Sequence, residues 1–376
     1  MKLRVERDVL AEAVAWAART LPQRPPVPVL AGLLLEAEGD VVRMAGFDYE
    51  VSTRIEIPAE VDEPGRVLVS GRLLADICRS LPARPVELVT HEAKVVVTCG
   101  SARFTLLTLP VDEYPALPEM PAAAGIVAGD LFAHAVSQVS VAAGRDDTLP
   151  ALTGIRVEIE GESVTLAATD RYRLAVRQLR WSPEQSGSSA VALVPARSLT
   201  DTARALSAAD KVTIALATTP GGEGLIGFEG NGRRTTQRLL DSEFPKYQTL
   251  WPREAATVAV VEAAPFIEAV KRVALVAERN TPIRLSFTDG VVTLEAGAGE
   301  DAQASESLDV SVTGDDITIA FNPTYLLDGL GALDDSHVRL SFTVASKPAV
   351  LSGTTGPDGD VDDSYRYLLM PVRVAG

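Results

Sequence analysis

Leu10-Ala11-Glu12-Ala13-Val14 returns as Phe132-Ala133-His134-Ala135-Val136, 122 residues on, and a third time as Phe266-Ile267-Glu268-Ala269-Val270, 134 residues further. Around the first copy, Val5, Val9, Leu10, Ala13, Val14, Ala17 and Leu21 fall at helical spacing, which predicts an amphipathic helix over 5–21 stopped by Pro22. Working outward, the strand-like pair Ile155-Arg156-Val157-Glu158-Ile159 and Val164-Thr165-Leu166 reappears as Ile283-Arg284-Leu285-Ser286-Phe287 and Val292-Thr293-Leu294. A second helix recurs as Leu74-Ala75-Asp76 before Leu81, Leu199-Thr200-Asp201 before Leu206 and Leu326-Leu327-Asp328 before Leu333. A closing phrase recurs too, Glu113-Tyr114-Pro115 and Glu243-Phe244-Pro245. Agreement at four places in one order makes the chain three tandem copies of one domain of about 125 residues.

The expected domains are 1–122, 123–254 and 255–376, with proline- and alanine-rich junctions near 118–125 and 252–257. In the first copy the patterns predict strands over 29–35, 41–45 and 51–57, a helix over 70–81, then strands over 86–89, 94–99 and 103–107. That order suggests an α+β class, with two helices packed on antiparallel sheet in each copy. Three such domains in a row make an arc, and an arc can close by head-to-tail dimerisation.

The 376 residues are 46% hydrophobic and 23% charged, a globular composition. The net charge of −16 argues against a chain that holds nucleic acid by global attraction, because an acidic body repels phosphate at long range. It leaves room for a local basic face, and the helical segments supply Arg7, Arg19, Arg24, Arg72, Arg79, Arg197, Arg204, Lys271 and Arg272. The plainer reading of each is a solvated helix face. Cys78 and Cys99 read as buried small hydrophobes of a reducing compartment. The N-terminus lacks a signal-like apolar core, and no run of about 18 apolar residues occurs, so a soluble cytoplasmic protein with no membrane partner is expected.

Catalytic and cofactor signals are weak. Gly222-Glu223-Gly224-Leu225-Ile226-Gly227 has the letters of a dinucleotide fingerprint but runs from strand to strand, with no helix N-terminus to hold a pyrophosphate. Asp358-Gly359-Asp360-Val361-Asp362 imitates a calcium loop, yet Asp363 stands where the glycine belongs. His91, His134 and His337 are scattered over the three copies, which argues against a metal cluster or a catalytic triad. No metal, cofactor or catalytic residue is expected.

One stretch is unusually polar for a corner between strands: Ala168-Thr169-Asp170-Arg171-Tyr172-Arg173-Leu174-Ala175-Val176. It matches Ala45-Gly46-Phe47-Asp48-Tyr49-Glu50-Val51 of the first copy, aspartate on aspartate. Together with the triplication, the strand Phe104-Thr105-Leu106-Leu107-Thr108-Leu109-Pro110 and the ending Leu369-Met370-Pro371-Val372-Arg373, this stretch resembles the bacterial DNA polymerase III beta subunit family, the sliding clamps. The resemblance spans essentially the whole chain, and the alanine-, arginine- and acid-rich composition suits an actinobacterial source.

The resemblance implies a homodimer, six domains in a ring around double-stranded DNA, acting as a non-catalytic processivity factor. It implies a peptide-binding pocket for the polymerase III alpha subunit, the clamp loader and other proteins with a clamp-binding motif. Carried over residue by residue, that pocket comprises Leu152, Thr169, Arg171, Tyr172, Arg173, Leu174, Pro245, Leu250, Leu368, Met370, Pro371, Val372 and Arg373. Leucine, methionine and proline walls suit an apolar peptide anchor. The plainer reading is that Leu368 and Val372 complete the last strand, and alternate side chains of one strand can serve both ends.

Two departures stand out: many family members have Gly-His at Arg171-Tyr172 and a basic residue at Thr249. The DNA contacts implied are Arg24, Arg72, Arg145 and Arg197, with the loop Arg145-Asp146-Asp147-Thr148-Leu149 near the lumen. The dimer seam implied is Arg103, Phe104 and Leu106 against Ala274 and Leu275, with Arg103 opposite Glu300, Asp301 or Glu306. The competing readings are an enzyme with an unrecognised site, a scaffold that never meets DNA, and a specialised clamp copy such as an inhibitor-resistant one.

Overall fold

A helix forms wherever the recurring apolar spacing meets a strand end. In the computed structural model, which describes residues 1–22, 24–217, 224–277, 281–297 and 302–373, six α-helices occur among the described residues, two per repeat. They are α1 (Arg7–Ala17), α2 (Gly71–Ser80), α3 (Gly129–Ser140), α4 (Ala196–Ala205), α5 (Ala263–Ala274) and α6 (Pro323–Gly331). Helix α1 buries Leu10, Ala13, Val14 and Ala17 along one stripe. It starts later than the periodicity suggests because Val5 belongs to the strand Lys2–Val5, which pairs with Val86–His91 and Glu60–Glu63. Burial in a strand satisfies the Val5 side chain as well as burial on a helix would. Likewise the predicted strand over 29–35 opens as the 3-10 turn Pro28–Ala31 before Gly32–Glu38.

Two compact units divide the described chain. The first comprises Met1–Phe132, Ser182–Gln185 and Asp201–Leu239. It holds a fourteen-stranded antiparallel sheet, in which Val51–Pro58 of the first repeat pairs with Arg233–Arg238 of the second. Leu10 and Val14 on α1 and Leu74 and Cys78 on α2 close over Leu88 and Val97. Each fully buried leucine of this kind stabilises by about 1.5–3 kcal/mol. Cys78 and Cys99 are free and buried, and burial pushes the Cys78 thiol up to about 12.

The second unit comprises Ala133–Trp181, Ser186–Thr200 and Leu240–Gly376, with a nine-stranded and a four-stranded sheet. Here Arg173–Arg180 of the second repeat pairs with Val361–Leu369 of the third, in the register Arg173↔Leu369 to Arg177↔Tyr365. Both sheets therefore run on between repeats at the same place, the strand that follows the aspartate corner. This is why compactness divides the described chain in two, through the second repeat, whereas the sequence repeats in thirds.

Candidate functional site

The two corners share one hydrogen-bonding scheme. Asp48 Oδ1 accepts from the amides of Glu50 (3.0 Å) and Val51 (2.7 Å), and Asp170 Oδ1 accepts from those of Tyr172 (3.0 Å) and Arg173 (3.1 Å). In both corners the residue after the aspartate lies in the left-handed region: φ is 75° at Tyr49 and 80° at Arg171. Neither is glycine, and the conformation costs a residue with a Cβ about 1–2 kcal/mol. Arg171→Gly adds back about 0.4–1 kcal/mol of unfolded-chain freedom. The net expectation is stabilisation by about 0.5 kcal/mol, read as a higher urea midpoint; a lower midpoint would show that the strain is not there.

What distinguishes the second corner is Arg173. Its guanidinium binds Asp170 (2.9 Å) and Asp328 and lies 4.3 Å over the Tyr325 ring. Burial alone would lower its pKa, but Tyr367, Asp328 and Asp170 together raise it. Arg173 is thus a buried strut with its charge already spent, and breaking such a pair by removing one partner costs about 3–5 kcal/mol. Tyr325 and Asp328 come from α6, whose start is fixed by Asn322 capping Thr324 (2.9 Å) and Tyr325 (3.2 Å). Tyr367 donates to the Tyr325 carbonyl (2.8 Å), and its ring lies so close to Gly329 that any Cβ there would overlap it. Sequence reasoning marked Asp328 only as a repeating helix residue and missed Tyr325.

Around this strut the structure gathers most of the residues assigned to a pocket. Leu174 and Leu368 are cross-strand partners, buried in a cluster with Ala167, Val176, Leu193, Phe244 and Tyr247. Ala151, Leu240 and Trp251 pack against that cluster, and Arg366 covers the Trp251 ring at 4.5 Å. Leu152 and Thr169 are also buried, and Thr169 Oγ1 donates to the Arg173 carbonyl (2.6 Å). The chain end is tied down by Met370 N donating to Tyr172 O and Val372 N to Ala320 O, both 2.8 Å.

Left uncovered are large apolar side chains: Tyr172 is 55% exposed, Leu250 49%, Met370 38% and Val372 37%. Pro245, Arg171, Thr249 and Arg373 are exposed beside them, and Pro371 is half-buried. Tyr172 stacks on Tyr325 with ring centroids 6.2 Å apart, which fixes the exposed ring in place. The arrangement is a buried apolar floor beside an exposed, largely apolar rim edged by Arg171 and Arg373. Among the described residues no group of three potential metal ligands gathers. The loop holding Arg145 is linked to this corner electrically. Hydrogen bonds from the Thr148 hydroxyl and amide, and then the charge of Arg171, hold the Asp146 carboxyl below its usual range.

The other assigned residues fall elsewhere. Arg24, Arg145 and Arg197 are exposed, and the exposed Arg72 donates to the Leu21 carbonyl (3.0 Å). On the strand Ala102–Leu109, Leu106 is buried in the core, while Leu107 is 71% exposed and Phe104 half-buried. The apolar side chain offered outward by this strand is therefore Leu107. Of this strand, only Thr108 and Leu109 pair with Gly65–Ser70, so its Ala102–Leu107 part is a sheet edge. Ala304–Asp309 is one of the two edges of the four-stranded sheet. Leu275, just past α5, is 84% exposed and Ala274 half-buried. Glu306 is already engaged by Arg272 through two bonds (3.0 and 2.5 Å), which hold its pKa down, so it is not a free partner for Arg103. Glu300 and Asp301 lie outside the described residues, as do Gly222 and Glu223 of the glycine-rich hairpin.

Comparison with known proteins gives three family matches in order: the DNA polymerase III beta subunit N-terminal domain over residues 1–118, its central domain over 126–246 and its C-terminal domain over 248–373. A "Beta sliding clamp" of Streptomyces coelicolor is 65% identical over 376 residues, covering 100% of both chains. A "Beta sliding clamp homolog GriR" of Streptomyces muensis is 50% identical, covering 99% of each. The crystal structure of the DNA polymerase sliding clamp from Bacillus subtilis superposes with a TM-score of 0.92 at 27% identity, over 100% of both chains.

Proposed function

Because the chain belongs to the DNA polymerase III beta subunit family and is a sliding clamp, a processivity factor, we propose that two copies close head to tail around duplex DNA and tether other proteins through the groove beside Asp170. The groove's occupants are short apolar segments of the polymerase III alpha subunit, the clamp loader and further clamp-binding proteins. The observation that carries this reading is the closure of the last strand on the strand after the corner, which leaves Tyr172, Leu250, Met370 and Val372 uncovered beside a buried floor. Floors of this kind hold the anchors that dominate an interface's energy. Arg171 and Tyr172 make the rim bulkier than a Gly-His pair would, and Thr249 leaves it less basic, so the peptide preference is this chain's own.

The dimer uses sheet edges: Ala102–Leu107 of one protomer beside Ala304–Asp309 of its partner, with Leu107 and Phe104 packing on Leu275. Pairing two otherwise open edges removes a liability to uncontrolled association. Arg24, Arg72, Arg145 and Arg197 touch phosphate only, in few and exchangeable contacts, since base readout would stop the ring from sliding. With a net charge of −16, residence on DNA comes from encirclement and not from attraction. The protein works in the cytoplasm without catalysing a reaction, and its domains divide near 122 and 254. Identity of 65% to a beta sliding clamp against 50% to the GriR homolog does not favour a specialised copy.

Topology supplies the test. Protein loaded onto a nicked circular plasmid should leave within the dead time of a gel-filtration run once the DNA is cut to a linear form. Retention on linear DNA with open ends would overturn encirclement.

A further inference from the structure

Two repeat junctions lie inside the chain, and a third forms only between two copies of it. The strands on either side of a junction can be matched position by position. The last strand of each repeat has one fully inward residue in common, Leu106, Gln237 and Leu369, so Ala102 stands where Arg233 and Tyr365 stand. The strand after the corner is matched by its ladder: Leu294↔Glu306 answers Leu166↔Arg177, so Ala302 stands where Arg173 stands. The helices match by their recurring motifs, Glu268 with Glu12 and His134, and Asp76 with Asp328.

Both internal junctions are tied by side chains at these positions. In the first unit, Arg233 reaches from the second repeat to Glu12 on α1 and donates to the Ala205 carbonyl (2.9 Å). In the second unit, the Tyr365 hydroxyl reaches from the third repeat to the Gln138 carbonyl on α3 (3.2 Å), and Arg173 reaches the other way, to Asp328 on α6. At the seam between protomers, the positions that send out these ties hold alanine, the half-buried Ala102 and the exposed Ala302. The acids that could receive an arginine are still there. Glu268 pairs with Lys271 (2.7 Å) and Asp76 with Arg79 (3.2 Å), each on its own helix and each exposed.

A closed ring that admits a circular duplex has to part at one of its junctions. We propose that Ala102 and Ala302 set the lifetime of the closed ring: a second copy completes the third junction in the register Ala102↔Glu306 to Leu106↔Ala302, with both cross-repeat ties left out, so that this junction parts and the internal two hold. This rests on the reading of the chain as a head-to-tail dimer. A charge pair enclosed in an interface acts chiefly on the rate of separation, so restoring an arginine should prolong closure without altering the assembly.

The test is exchange of subunits between donor- and acceptor-labelled full-length protein, followed by fluorescence energy transfer. Ala302→Arg should slow exchange at least tenfold, and Ala302→Arg with Asp76→Asn should return it to the wild-type rate. Ala102→Arg should slow it likewise, reversed by Glu268→Gln. Because Ala102 packs against the first core, the exposed Ala302 position gives the reading that misfolding does not disturb. Wild-type exchange in both arginine variants would overturn the proposal, as would a slowing that the acid substitutions leave in place. Failure of the dimer reading is seen separately. Arg103→Cys with Ser305→Cys, exposed positions that face each other in this register, should cross-link the protomers on oxidation, since the native Cys78 and Cys99 are buried. Without that cross-link the seam itself falls; a cross-link with unaltered exchange removes the proposal alone.

Discussion

Removing residues 370–376 should weaken binding of a labelled polymerase-segment peptide by more than about 100-fold while leaving the protein folded and dimeric. The paired part of the last strand ends at Leu369, so the register from Arg173↔Leu369 to Arg177↔Tyr365 survives, and with it the Arg173 strut. Lost are two exposed apolar side chains, Met370 and Val372, the half-buried Pro371 between them, and two backbone hydrogen bonds to Tyr172 and Ala320. Truncating a central apolar anchor typically costs about 2 kcal/mol or more, and every 1.4 kcal/mol is tenfold, so two walls lost together exceed about 100-fold. Fluorescence anisotropy reads the affinity and sedimentation velocity the dimer. Unchanged affinity would remove the groove assignment; a monomer would show that the terminus also holds the protomers together.

Leu275→Arg should convert the dimer to monomers at concentrations where the wild-type protein is wholly dimeric. Leu275 is 84% exposed on the isolated chain, so the substitution should leave thermal unfolding of the protomer nearly unchanged. In a closed head-to-tail pair the same contact occurs twice, and each copy loses the burial of a leucine, about 1.5–3 kcal/mol, and gains an unpaired cation. Two seams together exceed about 5 kcal/mol, more than a thousandfold in dimer dissociation. Leu107→Arg should behave alike, whereas Leu106→Arg should unfold the first unit, because Leu106 is 2% exposed within its core. A Leu275→Arg protein still dimeric at nanomolar concentration would place the seam elsewhere.

That contrast between Leu106 and Leu107 shows where a sequence stops being legible. The triplication, the helix pair of each repeat and the aspartate corner could all be read from spacing, because each depends on residues close along the chain. Which face of a strand looks inward depends on register, and a slip of one residue reverses every side chain. The run Phe104-Thr105-Leu106-Leu107 has adjacent leucines and gives no alternation to decide it. Glu306 was equally hidden: its partner Arg272 lies 34 residues away, on another element. For the groove, the rim residues were accessible through resemblance, and the floor was half visible in the recurring Phe244. Tyr325, which braces both Tyr172 and Arg173, carried no local signal.

The last strand of the chain is also the neighbour of a central one, and this sets a timetable for synthesis. Arg173–Arg180 leaves the ribosome roughly 180 residues before Val361–Leu369, which at about 5–20 residues per second is a wait of about 10–40 s. During that interval Arg173–Arg180 has a partner on one edge only, Ser163–Thr169, and the nascent chain exposes its other edge together with Leu174 and Val176, whose floor is completed only by Leu368. The second unit is therefore sealed only once Val361–Leu369 has left the ribosome.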